Sequence, residues 1–207
     1  MPFVALECAG ARSDHRNMSE ADFLTGRLLV AMPGIGDPRF ERAVIFLCAH
    51  DADHAMGLAL NRPVTGLSVG RVLKRLKIES TIDLPEDLVL LGGPVERERG
   101  FVLHTDDYAS PRSTVAISPG VSLTATPEVL EALAGGHNRR PRRSILALGY
   151  AGWGAGQLEE EILANTWLTC EADESLIFDD DYEEKWSRAL AKIGVAADRL
   201  SGLTGRA

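Results

Sequence analysis

Residues 43–49 read AVIFLCA, seven successive apolar positions with nothing to present to water. The run is rich in β-formers and apolar on both faces, so it is expected to form a strand buried on both sides. HDADH follows as a polar turn, and residues 56–60 (MGLAL) read as the next strand. The two are expected to form a hairpin whose loop is longer than two residues. Asn61-Arg62-Pro63 ends it, because proline biases the residue before it away from helix.

The rest of the chain alternates strand clusters with single helices. Residues 27–32 (RLLVAM) are a short apolar run broken by PGIGDP, a turn cluster. Ser68 is expected to cap a helix reaching Lys77, with Val69, Val72, Leu73 and Leu76 on one stripe. Strands are expected at 88–91, 100–104, 114–118 and 144–150. Thr126 and Pro127 open another helix, and Gly135 lies just past its end. A helix over 155–166, a strand near 176–178 and a helix over 181–193 complete the reading. In the last helix Tyr182, Trp186, Ala189, Leu190 and Ile193 make the core face, and Gly194 stops it. Strand clusters with hairpin-like links point to an α+β fold with a mixed, largely antiparallel sheet.

A chain of 207 residues fits one domain. It buries roughly 70% of its unfolded surface, so no metal or disulfide staple is required. A net charge of −8 argues against coating nucleic acid. Cys8, Cys48 and Cys170 are far apart and form no CxxC pair, so reduced cytoplasmic thiols are the simplest reading. No apolar run approaches ~18 residues, so no membrane span is expected. Residues 1–20 are expected to be a flexible leader ahead of a single domain over 21–207.

The stretch GYAGWGAGQLEEEILANTW at 149–167 has the glycines of a phosphate loop but not its charge. Glu159, Glu160 and Glu161 would already complement the positive end of the following helix, and no lysine accompanies them. Neither a Walker pattern nor GxGxxG is present. The structural reading has small residues letting strand and helix pack closely, with Trp153 plugging the joint. The functional reading is a pocket walled by Tyr150 and Trp153, with Gln157 and Glu161 at i and i+4 on one helix face. Asn61, Arg62, the turn Gly92-Gly93-Pro94 and His104 at a strand end are candidates to line the same site. His50 and His54 flank a turn without an evident third ligand, so no metal is expected there. Cys48 sits in an apolar strand, where a thiol stays protonated, so a Cys48–His104 dyad is not expected. No nucleophile elbow, no catalytic residue and no cofactor site is read from the chain. Eight of the 22 basic residues fall in two stretches. Arg71, Lys74, Arg75 and Lys77 surround one helix, and Arg139, Arg140, Arg142 and Arg143 flank Pro141. The first group is a weak candidate for nucleic acid or an anionic protein partner, without aromatic residues for base stacking.

Taken together, GRLLVAMPGIGDPRFERAVIFLC, MGLALNRP, GGPV, GFVLH and GYAGWGAGQLEEEILANTWL resemble the YqgE/AlgH family of bacterial proteins. The resemblance runs from about residue 20 to the C-terminus. It implies a bifurcated sheet, part of it a small barrel, surrounded by helices. It also implies a regulatory or binding module, since some members carry a transcriptional-regulator label and no catalytic residues are established to carry over. The alternative is an enzyme or small-ligand binder using Tyr150, Trp153 and His104.

Overall fold

The apolar run at 43–49 does become an interior strand. A computed structural model describes residues 23–83, 86–135 and 140–196; the expected leader at 1–20, Cys8 and Arg139 lie outside them. Strands β1 (Arg27–Ala31), β2 (Val44–His50) and β3 (His54–Ala59) form an antiparallel meander. In β2 the residues Val44 to Leu47 are fully buried. Phe46 and Leu47 point to opposite faces and join two different core clusters. Both faces of the central sheet are therefore covered, which explains the unbroken apolar run.

The remaining strands are β4 (Pro63–Ser68), β5 (Leu88–Leu91), β6 (Val95–Thr105), β7 (Thr114–Ser118), β8 (Val121–Thr124), β9 (Ser144–Gly154) and β10 (Trp167–Glu171). The long path runs β10-β1-β2-β3-β9-β6-β8-β7, and β4 and β5 branch from it. The fork is at β9, which pairs antiparallel with β3 over 151–154 and parallel with β5 at Ala147 and Leu148. That is one parallel pairing in an otherwise antiparallel sheet. The sheet curls far enough to bring Gly26, beside β1, against Ser118 at the end of β7. The fold is thus α+β, a curled antiparallel half-barrel with five α-helices among the described residues.

Those helices are α1 (Val69–Arg75), α2 (Pro127–Leu133), α3 (Gln157–Leu163), α4 (Glu174–Phe178) and α5 (Lys185–Lys192). Ser68 caps α1 by accepting the Arg71 N–H. Thr126 precedes α2 but makes no capping bond; its hydroxyl donates to Ser113 Oγ instead. Gly135 and Gly194 stop α2 and α5 at positive φ, as expected. Two readings are corrected. The helix expected over 155–166 is confined to Gln157–Leu163, and the residues after it form β10. The strand expected near 176–178 is part of α4, whose N-cap Asp173 accepts the Leu176 N–H at 2.7 Å. Apolar runs this short fit either state, and the Asp173 cap decides for helix.

One contact locks the C-terminal helices to the sheet, and a second locks them to each other. Trp186 Nε1 donates to Ala31 O at 2.8 Å. Lys185 is completely buried, and its ammonium donates to the carbonyls of Leu176, Ile177 and Asp179. Burial pushes the Lys185 pKa down, while Asp179 at 3.2 Å opposes that shift. These carbonyls lie at the open end of α4, so the cation satisfies groups the helix itself leaves unpaired.

The Asp173 cap has a pH signature. Burial disfavours its charge, but bonds from Lys192, Ser175 and Leu176 N–H outweigh that and lower its pKa from 3.8 to about 2. A depressed carboxyl stabilises the fold above its unfolded pKa and loses that contribution as pH falls through the folded value. The site is partly exposed, so the contribution is about 1 kcal/mol or less after solvent screening. Urea titrations between pH 4 and 2 should show Asp173→Asn with a flatter loss of stability than the parent chain.

Candidate functional site

The glycine-rich stretch read as a loop is strand. β9 continues through Gly154, and its final residues pair with β3 as Gly57↔Ala151, Met56↔Gly152, Ala55↔Trp153 and His54↔Gly154. The direction of each peptide follows from neighbouring bonds. Leu60 N–H donates to Val44 in β2, whereas Ala59 N–H donates to Gly92 O on the other side of β3. Gly57 and Ala55 share the parity of Ala59, so their backbones face β9, and Ala151 and Trp153 face them. Gly152 and Gly154 must then present their N–H and C=O groups to the opposite edge. Gly154 agrees, because its N–H donates to Gln157 Oε1 at 3.1 Å. On that edge pairing with β6 ends at Val95↔Tyr150. Among the described residues, no strand covers the edge of Gly152, which is exposed.

Clefts open on both sides of this bare edge. One, of about 390 Å³, is walled by Met56, Phe101, Tyr150 and Arg99. A second, of about 370 Å³, is walled by Phe40, Trp167, Gln157, Glu161 and Pro94. Both include Gly152 and Trp153. Tyr150, Met56 and Phe101 belong to one core cluster, and Trp153, Leu158 and Trp167 to another, so the two clefts lie largely on opposite faces of β9. A third cleft, of about 340 Å³, adjoins the second at Arg39, Phe40 and Pro94 and extends to Arg62 and Arg97.

Glu161 organises the second cleft. Its Oε2 accepts the indole N–H of Trp153 at 2.9 Å and of Trp167 at 2.7 Å, and its Oε1 accepts Gln157 Nε2 at 2.8 Å. The two indoles meet edge to face, 6.0 Å between centroids. A carboxylate holding three donors is committed to positioning the aromatic walls. Glu159 is also tied down, accepting from His50 Nε2 at 2.7 Å while His50 Nδ1 takes the Leu24 N–H. Two of the three helix-start glutamates therefore make specific tertiary contacts, and Glu160 remains exposed.

The expected site residues separate into two groups. Arg62, Gly93, Pro94, Tyr150, Trp153, Gln157 and Glu161 line the three connected clefts. His104 does not join Tyr150 and Trp153, which corrects the shared-surface reading. It pairs with Ser144, nine residues before Trp153 on β9, roughly 30 Å away along a strand. It is fully buried, bonded through Nδ1 to Thr105 O at 2.8 Å and through Nε2 to Thr124 Oγ1 at 2.9 Å. Burial lowers its pKa and favours the neutral ring. Asn61 takes the place of a strand partner, accepting from Val44 N–H at 3.0 Å and donating to Arg42 O at 2.8 Å. Gly92 is buried against the Gly149 carbonyl. Cys48 is buried, and desolvation pushes its thiol to about 12. Arg71, Lys74, Arg75 and Lys77 are exposed around α1, outside the three clefts. In the second basic stretch Arg142 donates to Glu174 at 2.7 Å, and Arg143 lies 3.7 Å from it.

Sequence reasoning missed Arg39, Phe40, Arg97 and Trp167. The signal for the first two was Asp37-Pro38, which starts a 3-10 turn over Pro38–Phe40. That turn sets Phe40 edge-on to Trp167, 5.7 Å between ring centroids.

Trp153 is only 6% exposed, so Trp153→Ala should destabilise the fold by about 3–5 kcal/mol. Glu161→Ala should cost about 2–3 kcal/mol by orphaning the two indole donors. Chemical denaturation measures both, and an unchanged midpoint for either would contradict the packing described.

The family model described as AlgH-like matches residues 28–198. A UPF0301 protein of Caulobacter vibrioides is 64% identical over 188 residues, covering 91% of this chain and 96% of that one. A UPF0301 protein of Bradyrhizobium diazoefficiens is 50% identical over 196 residues, covering 91% of each chain. The solution structure of the AlgH protein from Pseudomonas aeruginosa superposes with a TM-score of 0.71 at 40% identity, covering 93% of this chain and 98% of that one. The chain belongs to the AlgH-like family.

Proposed function

We propose that this protein is a binding module that takes an extended segment of a partner protein along the free edge of β9. The observation that carries the reading is Gly152, whose outward N–H and C=O lie where two clefts meet. A strand added to that edge gains backbone hydrogen bonds from Gly152. Its side chains alternate between faces, so successive residues enter the Tyr150–Phe101 cleft and the Trp153–Trp167 cleft in turn. Glycine suits the position, since a side chain there would start 3.2 Å from the Tyr150 ring and crowd the approach. The carboxylate in the groove is occupied with holding indoles, which favours binding over acid–base chemistry. No helix among the described residues is long and apolar enough to cross a membrane. With Cys48 and Cys170 as free thiols, we place this single-domain module in the cytoplasm.

Amide hydrogen exchange tests the edge directly. Gly152 should exchange close to the rate of an unstructured glycine, while Ala151 and Trp153 are protected by β3. Short peptides selected from a random library should protect Gly152 and lose affinity for Gly152→Pro. That substitution removes the outward N–H, which a strand edge tolerates, and its ring also narrows the approach beside Tyr150. Equal protection of Gly152 and its two neighbours in the free protein would end the proposal.

A further inference from the structure

The third cleft has a composition unlike the chain that builds it. The protein carries a net charge of −8, yet three arginines, Arg39, Arg62 and Arg97, line this cleft and no carboxylate does. Its body is apolar, formed by Phe40, Leu91 and Pro94. Each guanidinium is in a different state. Arg39 is already held by Asp37 through bonds of 2.6 to 3.0 Å. Arg62 is half-buried and donates one Nη to the Glu41 carbonyl, but its Nε is buried without a hydrogen-bond partner among the described residues. Arg97 is exposed and makes no hydrogen bond or ion pair among them.

A buried guanidinium N–H left unpaired is costly, and the planar donor set of a guanidinium matches the two oxygens of an oxyanion. Desolvation lowers the Arg62 pKa, as it must for a cation removed from water, and Glu41 only partly offsets this. Arg97 completes the arrangement from the β6 bulge, where pairing with β9 skips from Val95↔Tyr150 to Gly100↔Leu148. The bulge is fixed by Gly149, at φ +69°, where an added Cβ would fall 3.1 Å from the Arg97 Cα. The Cα of Arg97 is therefore held by strand geometry, and the exposed guanidinium it carries lines the cleft.

We propose that the Arg39–Arg62–Arg97 cleft is an oxyanion site that receives a carboxylate or phosphoryl group carried on an apolar body. Arg62 and Arg97 bind the oxygens, and Phe40 and Pro94 cover the attached carbon framework. This rests on the groove being the binding surface, and it makes the end of the partner segment beside Pro94 acidic, phosphorylated or a free C-terminus. Because the cleft adjoins the second one at Arg39, Phe40 and Pro94, one partner segment can occupy both.

Two small probes test the cleft without any strand, so its failure is separable from failure of the edge reading. Benzoate and phenyl phosphate are titrated separately at millimolar concentration into the full chain, with benzyl alcohol as the uncharged control. Arginine Nε–H and backbone resonances are followed by NMR. At least one anion should shift Arg62 Nε–H and the Gly93 amide, while benzyl alcohol leaves Arg62 unmoved. The anion that binds more tightly distinguishes a carboxylate from a phosphoryl source. Arg97→Gln breaks no contact in the fold and should weaken that binding about tenfold, the loss of a charged hydrogen bond. The proposal is overturned if neither anion shifts Arg62. It is equally overturned if Arg97→Gln binds as the parent does, or if the shifts spread over α1 and the other surface arginines.

Discussion

The architecture depends on two stretches of backbone that touch with no side chain between them. A Cβ on Gly93 would fall 2.0 Å from the Tyr150 carbonyl carbon, and one on Gly92 would fall 2.3 Å from the Gly149 oxygen. Gly149 in turn sits at φ +69°, where a Cβ would press on the carbonyls of Gly93 and Val95. This glycine-to-glycine contact allows β5 to end, the chain to cross, and β6 to begin while both remain bonded to β9. It also leaves β9 to run on beyond its partner, and so generates the bare edge at Gly152. The GGPV and GYAG stretches are one interface seen from its two sides.

Charge drawn wholly or partly out of water at Lys185 and Glu161 is handled by saturation. Lys185 faces three carbonyls and a carboxylate inside the C-terminal helices. Glu161 faces three donors between α3, β9 and β10. In both places a full set of partners compensates the lost hydration, and the ion then fixes the relative position of several elements. His104 follows the same rule with a neutral ring bonded at both nitrogens. Against these, the Nε of Arg62, like that of Arg27, is buried and finds no acceptor among the described residues.

The distribution of basic residues separates structural from surface roles. Arg142 and Arg143 gather around Glu174 and join the segment just before β9 to α4. The cations of α1 face solvent on a helix of seven residues, whose Val69 and Leu73 supply the buried contacts. Among the described residues, Arg39, Arg62 and Arg97 converge where positive charge meets concavity and an apolar lining, the combination that ligand recognition requires, while Arg99 lines the first cleft singly.

The sequence by itself determined the buried β2–β3 hairpin, the α+β class and the caps at Ser68, Gly135 and Gly194. Each rests on local periodicity or on a backbone preference of one residue. It also pointed to Gln157 and Glu161 as neighbours, because i and i+4 share a helix face. Tertiary structure decided the rest. Whether 149–154 is loop or strand depends on β3 supplying a ladder from about a hundred residues earlier, which no local glycine count reveals. His104 ended one expected strand and Trp153 followed another, but only the register of β6 on β9 puts them at opposite ends. The second and third clefts take Phe40 and Arg39 from a turn after β1, Arg62 from the end of β3, Arg97 from a bulge in β6 and Trp167 from β10. These residues are scattered in sequence because the curled sheet, not the local chain, sets which side chains share a surface.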